Sequence, residues 1–126
     1  MRKKLKAIFV VFLSLISLSC AQNSSKSSMT INEFRSEMKN NPSLIILDVR
    51  TPQELEGPLG KIDGAINIPV QELSNRMNEL SRYKDKDIAV ICRTDNRSSV
   101  AVKMLLQNGY KAKNVLGGMM QYSSEK

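Results

Sequence analysis

The sequence predicts a single α/β domain, a small parallel sheet with helices on both faces, and two observations carry that expectation. Short apolar runs alternate with stretches in which apolar residues recur at helical spacing, the pattern that builds strand–helix–strand units. The segment Asp87-Ile88-Ala89-Val90-Ile91-Cys92-Arg93-Thr94-Asp95-Asn96-Arg97-Ser98 shows the switch most clearly. Ile88 to Ile91 suits a buried strand, and Val100, Ala101, Met104 and Leu105 then trace a helix face that stops at Gly109. With 126 residues the chain has room for one domain with a real core, not for two.

Taken in order, residues 1–19 read as a targeting segment: a basic start at Arg2, Lys3, Lys4 and Lys6, an apolar run from Ala7 to Leu18, then small polar residues. The run is short for a bilayer span, which needs about 20 residues. With Cys20 directly after Leu18-Ser19, the segment resembles a bacterial lipoprotein signal. That resemblance implies an exported cell-envelope protein with lipid on Cys20, held to a membrane on its periplasmic or outer side. Residues 20–28 are polar and Ser-rich and read as a flexible tether, and 29–126 as the folded domain.

Thr30-Ile31-Asn32-Glu33 is a capping box, and Ile31, Phe34 and Met38 form the apolar stripe of a helix ending near Asn40-Asn41-Pro42. Leu44 to Val49 predicts a buried strand with Asp48 near its end. Thr51-Pro52-Gln53-Glu54 starts a short helix with a cap and a proline in its first turn. Gly57, Pro58, Gly60 and Gly64 mark a loop, and Ala65 to Ile68 a short strand stopped by Pro69. Leu73, Met77 and Leu80 predict a surface-packed helix over 71–80. Val115-Leu116 is expected as the last strand, Gly117-Gly118 as a turn and 119–122 as a closing helical turn.

Composition narrows the chemistry. The formal charge is +7, but four of the cations sit in the targeting segment, leaving 15 basic against 12 acidic residues. No basic stripe interleaved with aromatics is visible, so nucleic acid is not an expected partner. Histidine is absent, which removes Cys-His and Ser-His-Asp catalysis and His-ligated metal sites. No metal and no cofactor is expected. Cys92 is then the one thiol of the mature domain, at the head of six residues without an apolar side chain. On a strand-to-helix turn, successive backbone N–H groups and the helix N-terminus form a cradle for negative charge. With Arg93 and Arg97 nearby, that setting suits an anionic sulfur nucleophile.

Leu47-Asp48-Val49-Arg50-Thr51-Pro52-Gln53-Glu54-Leu55, Gly64-Ala65-Ile66-Asn67-Ile68-Pro69, Cys92-Arg93-Thr94-Asp95-Asn96-Arg97-Ser98 and Leu116-Gly117-Gly118 follow one another as in a single-domain rhodanese, which the chain resembles from about residue 29 to 122. The resemblance implies sulfurtransferase chemistry. Cys92 would take a sulfane sulfur from thiosulfate or a persulfide, hold it as a persulfide and pass it to a thiol or cyanide. Arg93, Thr94, Asp95, Asn96 and Arg97 would form the active loop, with Asp48 and Arg50 bracing it from the neighbouring strand. Asp95 stands where active members usually carry glycine. It is expected to strain a left-handed backbone and to set a carboxylate at the rim of the cradle, opposing an anionic donor. That residue supports the alternative of a binding or sensing module of the same fold. Related phosphatases and arsenate reductases need a longer loop with its arginine one place further on, where this chain has Ser98.

Overall fold

The computed structural model describes residues 26–126. The expected signal segment 1–19, Cys20 and the tether as far as residue 25 lie outside the described residues. The sheet has five parallel strands: β1 (Ser28–Met29), β2 (Ile45–Asp48), β3 (Ile66–Asn67), β4 (Asp87–Ile91) and β5 (Lys111–Val115), in the order β1-β5-β4-β2-β3. The helices are α1 (Ile31–Asn40), α2 (Pro52–Leu55), α3 (Leu73–Arg76), α4 (Asn96–Gln107) and α5 (Gly118–Ser124).

The central strand β4 shows why the chain folds this way. Its side chains alternate across the sheet, as period-two geometry requires. Ile88, Val90 and Cys92 join a core with Leu47, Val49, Ala101, Val102 and Leu105, beneath α3 and α4. Ala89 and Ile91 join a second core with Ile31, Phe34, Val115 and Met119, beneath α1 and α5. Residues 88–92 are all buried, so both layers depend on this run. At about 25 cal/mol per Å² of apolar area, it contributes more to stability than any surface contact.

Both predicted helix caps form, each as a capping box. Glu33 N donates to Thr30 Oγ1 at 3.1 Å and Thr30 N to Glu33 Oε2 at 2.7 Å. Thr51 and Glu54 repeat the arrangement at the start of α2. Tyr122 closes the second layer edge-on to Phe34, with ring centres 5.9 Å apart, and the Arg35 guanidinium lies 4.5 Å from its ring centre.

Three elements differ from the sequence expectation. The sheet takes in Ser28, the last residue of the expected tether, which pairs with Asn114. The last strand begins at Lys111 rather than Val115, because Lys111 and Lys113 face solvent while Ala112 and Asn114 are buried. The expected helix over 71–80 is a 3-10 turn (Val70–Glu72), the single α-turn α3 and a further 3-10 stretch (Met77–Tyr83). Pro69 starts it extended, its carbonyl takes the Glu72 N–H at 2.9 Å, and tight i→i+3 turns follow.

Candidate functional site

Parallel strands bring their carboxyl ends to one edge of the sheet, and Cys92 directly follows the last residue of β4 there. The thiol is free and only 1% exposed. Beyond it, residues 92–95 turn sharply into α4, and α5 holds that turn. Met119 N donates to Cys92 O at 2.9 Å and Met120 N to Arg93 O at 3.0 Å. Across a trans peptide, the N–H lies opposite the carbonyl of the same plane. Tying the Cys92 and Arg93 carbonyls to α5 therefore turns the Arg93 and Thr94 N–H groups to the other side. Among the described residues, the N–H groups of Arg93, Thr94, Asp95 and Asn96 have no protein acceptor. With the N-terminus of α4 they form a row of unpaired donors beside the sulfur.

Gly118 makes this close approach feasible. Its φ is +56°, and a Cβ there would meet the carbonyl oxygens of Cys92, Arg93 and Thr94 at 2.5–2.6 Å. No L side chain with a Cβ fits that space without moving the loop.

Asp95 behaves otherwise than the sequence suggested. Its φ is −134°, outside the left-handed region, so the backbone here does not call for glycine. Its Oδ1 accepts the Gly117 N–H at 2.9 Å, so the carboxylate fastens the loop to the turn before α5. It does not cap α4.

Asp48 and Arg50 act as a buried unit. Asp48 pairs in register with Ile91, next to Cys92. Arg50 Nη2 and Nε donate to its carboxylate at 2.7 and 3.0 Å, and the Arg50 backbone N–H does so at 3.0 Å. Nη1 also reaches the carbonyl of Glu54 at 3.4 Å and Nη2 that of Gly60 at 2.9 Å, while Asn67 Nδ2 holds the carbonyls of Asp48 and Arg50. This fixes α2 in place, and α2 carries Glu54.

The sequence offered Glu54 only as a helix cap; in the structure it also grips the loop. Arg97 Nη1 and Nη2 donate to its two carboxylate oxygens at 2.6 and 2.7 Å, with both side chains a little over a quarter exposed. Hydrogen bonds from Arg97, outweighing partial burial, hold the Glu54 carboxyl at about 2, and the Arg97 guanidinium is raised in turn. Arg97 thus closes the loop through a carboxylate, not through loop carbonyls. Arg93, Thr94 and Asn96 are exposed.

Two further residues escaped sequence reasoning. Ser98 Oγ lies 3.2 Å from Cys92 Sγ and donates to Asn114 Oδ1 at 2.6 Å, with Ser98 and Asn114 both buried. The position of Ser98 in the first turn of α4, six residues after a strand-end cysteine, was a signal; Asn114, on another strand, had none. Among the described residues, no three acidic, cysteine or histidine side chains come together as metal ligands.

Comparison with known proteins fits this geometry. The Rhodanese-like domain family matches residues 30–125. A protein named sulfurtransferase from Allochromatium vinosum is 31% identical over 99 residues, covering 74% of this chain and 89% of that one. A putative sulfur carrier protein, YrkF, from Bacillus subtilis is 32% identical over 98 residues, which are 77% of this chain but only 51% of YrkF, so the chain spans about half that relative's length. The crystal structure of a rhodanese-related protein from Thermoplasma volcanium superposes with a TM-score of 0.69 at 37% identity, covering 78% of this chain and 91% of that one. A five-stranded parallel sheet with a cysteine-led loop at its carboxyl edge, matched over nearly the whole described chain, places the protein in the rhodanese-like domain family, among relatives named as sulfurtransferases and sulfur carriers.

Proposed function

We propose that the protein transfers sulfane sulfur through a persulfide on Cys92. The observation that carries this reading is the Cys92 loop itself, with its carbonyls tied to α5 and the N–H groups of residues 93–96 left unpaired. In the first half-reaction the Cys92 thiolate attacks the outer sulfur of the donor. An Sγ–S bond forms, the donor's bond to that sulfur breaks, and the electron pair leaves as sulfite from thiosulfate or as a thiolate from a persulfide. The terminal sulfur of Cys92–S–S⁻ now carries the charge, which the loop amides are placed to stabilise. Such donors are worth a few kcal/mol each where charge develops. In the second half-reaction a thiolate or cyanide attacks the terminal sulfur, the Sγ–S bond breaks, and its pair returns to Sγ.

The pairing of Arg97 with Glu54 bears on donor choice. Thiosulfate is a dianion, and with Arg97 neutralised the attraction falls to Arg93 and the amides. A singly charged persulfide donor suits that field better. The reading as a binding or sensing module rested on Asp95, whose carboxylate is bonded to Gly117 N and whose backbone is unstrained. Intact-mass measurement decides between them. Wild-type protein should gain one sulfur atom after exposure to a persulfide donor, less readily with thiosulfate, and Cys92→Ser should gain none. An unchanged wild-type mass with every donor would leave only the binding role.

The lipid anchor at Cys20 and residence in the bacterial cell envelope belong to the same proposal, supported by the basic start, the short apolar run and the small residues before Cys20. Among the described residues no helix is long and apolar enough to cross a membrane. Expression in a bacterial host should yield lipid on Cys20, and Cys20→Ser should release the protein from membranes. A mature N-terminus that leaves Cys20 unmodified would exclude the anchor.

A further inference from the structure

The Cys92–Ser98–Asn114 cluster is buried where the end of β4, the first turn of α4 and β5 meet, and the half-reactions above make no use of it. Ser98 has one hydroxyl proton and three acceptors around it: Asn114 Oδ1 at 2.6 Å, Cys92 Sγ at 3.2 Å and the Asp95 carbonyl at 3.2 Å. Ser98 is fully buried on α4 and Asn114 nearly so on β5, with the buried Cys92 thiol on the other flank of the Ser98 hydroxyl. Water is therefore not at hand to solvate the sulfur on this flank, and a charge appearing there depends on this cluster.

We propose that Ser98 is a positioning residue whose hydroxyl turns between two acceptors as the charge on Cys92 changes. While Sγ is neutral, as a thiol or as the inner sulfur of a persulfide, the hydroxyl donates to Asn114 Oδ1. When Sγ is a thiolate, the same proton turns to Sγ, because a charged acceptor makes the stronger bond. No covalent bond to hydrogen breaks; only the hydroxyl rotor moves. The inference rests on the persulfide reading, and its consequence falls unequally on the two half-reactions. In loading, the bond stabilises the attacking thiolate and is given up as the charge moves outward. In discharge, Sγ is the leaving group and gains the bond as the Sγ–S bond breaks, so the hydroxyl speeds that step. Asn114 competes for the proton and restrains it.

Single-turnover intact-mass kinetics on the folded protein test this, with loading and cyanide-driven discharge timed separately and thermal melting as the control for folding. Ser98→Ala should discharge about tenfold more slowly, with loading changed much less, and Ser98→Thr should restore discharge. Asn114→Leu, which removes the competing acceptor at similar volume, should discharge at least as fast as wild type. A role confined to packing would slow both steps together and would give Asn114→Leu the same sign as Ser98→Ala; either result overturns the proposal. If wild-type protein never loads sulfur, the persulfide reading fails, and alkylation of Cys92 by neutral iodoacetamide, read by peptide mass, decides the inference independently. Slower alkylation in Ser98→Ala, regained in Ser98→Thr, sustains it, and equal rates in all three overturn it.

Discussion

A carboxylate beside a cysteine-led anion cradle reads as a fault only until its hydrogen bonds are counted. Asp95 and Glu54 both lie at the loop, and each has its charge engaged: one by the Gly117 N–H, the other by two nitrogens of Arg97. Asp95→Ala should therefore cost about 1–2 kcal/mol in chemical denaturation, because it strands the Gly117 amide. Asp95→Asn keeps an acceptor and should cost less than half as much. A gain in sulfur transfer from Asp95→Gly without loss of stability would show that the carboxylate opposes the donor after all. Glu54 offers a pH signature. Its folded-state value of about 2 lies below the ordinary 4.5, so the pairing contributes in full above about pH 4.5 and is lost as pH falls toward 2. For a partly exposed bidentate pair the contribution is about 1 kcal/mol. The stability difference between wild type and Glu54→Gln should be flat near neutral pH and should shrink steadily as pH falls from about 4.5 toward 2. A difference that persists unchanged into acid would mean that the ion pair does not form in solution.

At the level of elements, the loop is shaped by its contact with the start of α5 as much as by its own sequence. Gly118 should tolerate no side chain: Gly118→Ala would push a Cβ into three carbonyls at a left-handed φ, at a cost of roughly 2–4 kcal/mol. The surviving folded fraction should load sulfur poorly, since the amides are re-aimed. Gly117→Ala is the comparison, because its Cβ would meet mainly the flexible Gln121 side chain. Equal sulfur loading in both variants would show that the carbonyl contacts do not set the loop. Elements with strong local signals were legible in the sequence. Thr30 and Thr51 announced their helices through N-terminal caps, and Ile88 to Ile91 declared a strand by unbroken apolarity. Lys111 to Asn114 did not, because an alternating strand with lysines outside and Ala and Asn inside carries little hydrophobic signal. The segment 70–83 misled for another reason. Leu73, Met77 and Leu80 fit α-helical spacing, but spacing alone does not separate α from 3-10 turns.

Across the whole molecule, the site was legible as far as it is local in the chain. The loop 92–97 was read directly, and Asp48 and Arg50 came with the resemblance. Glu54 on α2 and Asn114 on β5 reach the site only through tertiary packing, and single-chain patterns do not record which strands become neighbours. The buried Asp48–Arg50 pair joins these parts, and Arg50→Met should cost about 3–5 kcal/mol by leaving Asp48 without its cation; a loss below 1 kcal/mol would mean that solvent reaches the carboxylate. The direction of the strands has a consequence of its own. Lys26 gathers with Asp87 and Lys111, the first residues of β4 and β5, at the end of the sheet opposite Cys92. If Cys20 carries the proposed lipid, the described chain leads from the anchor into the domain at the end far from the sulfur. The domain would stand on the bilayer with its reactive edge facing outward, open to partners arriving from the aqueous side and turned away from those embedded in lipid. Vesicle-bound wild type and soluble Cys20→Ser protein should then load sulfur from a water-soluble donor at rates within about twofold of each other, whereas a steep loss on vesicles would mean that the reactive edge lies against the membrane.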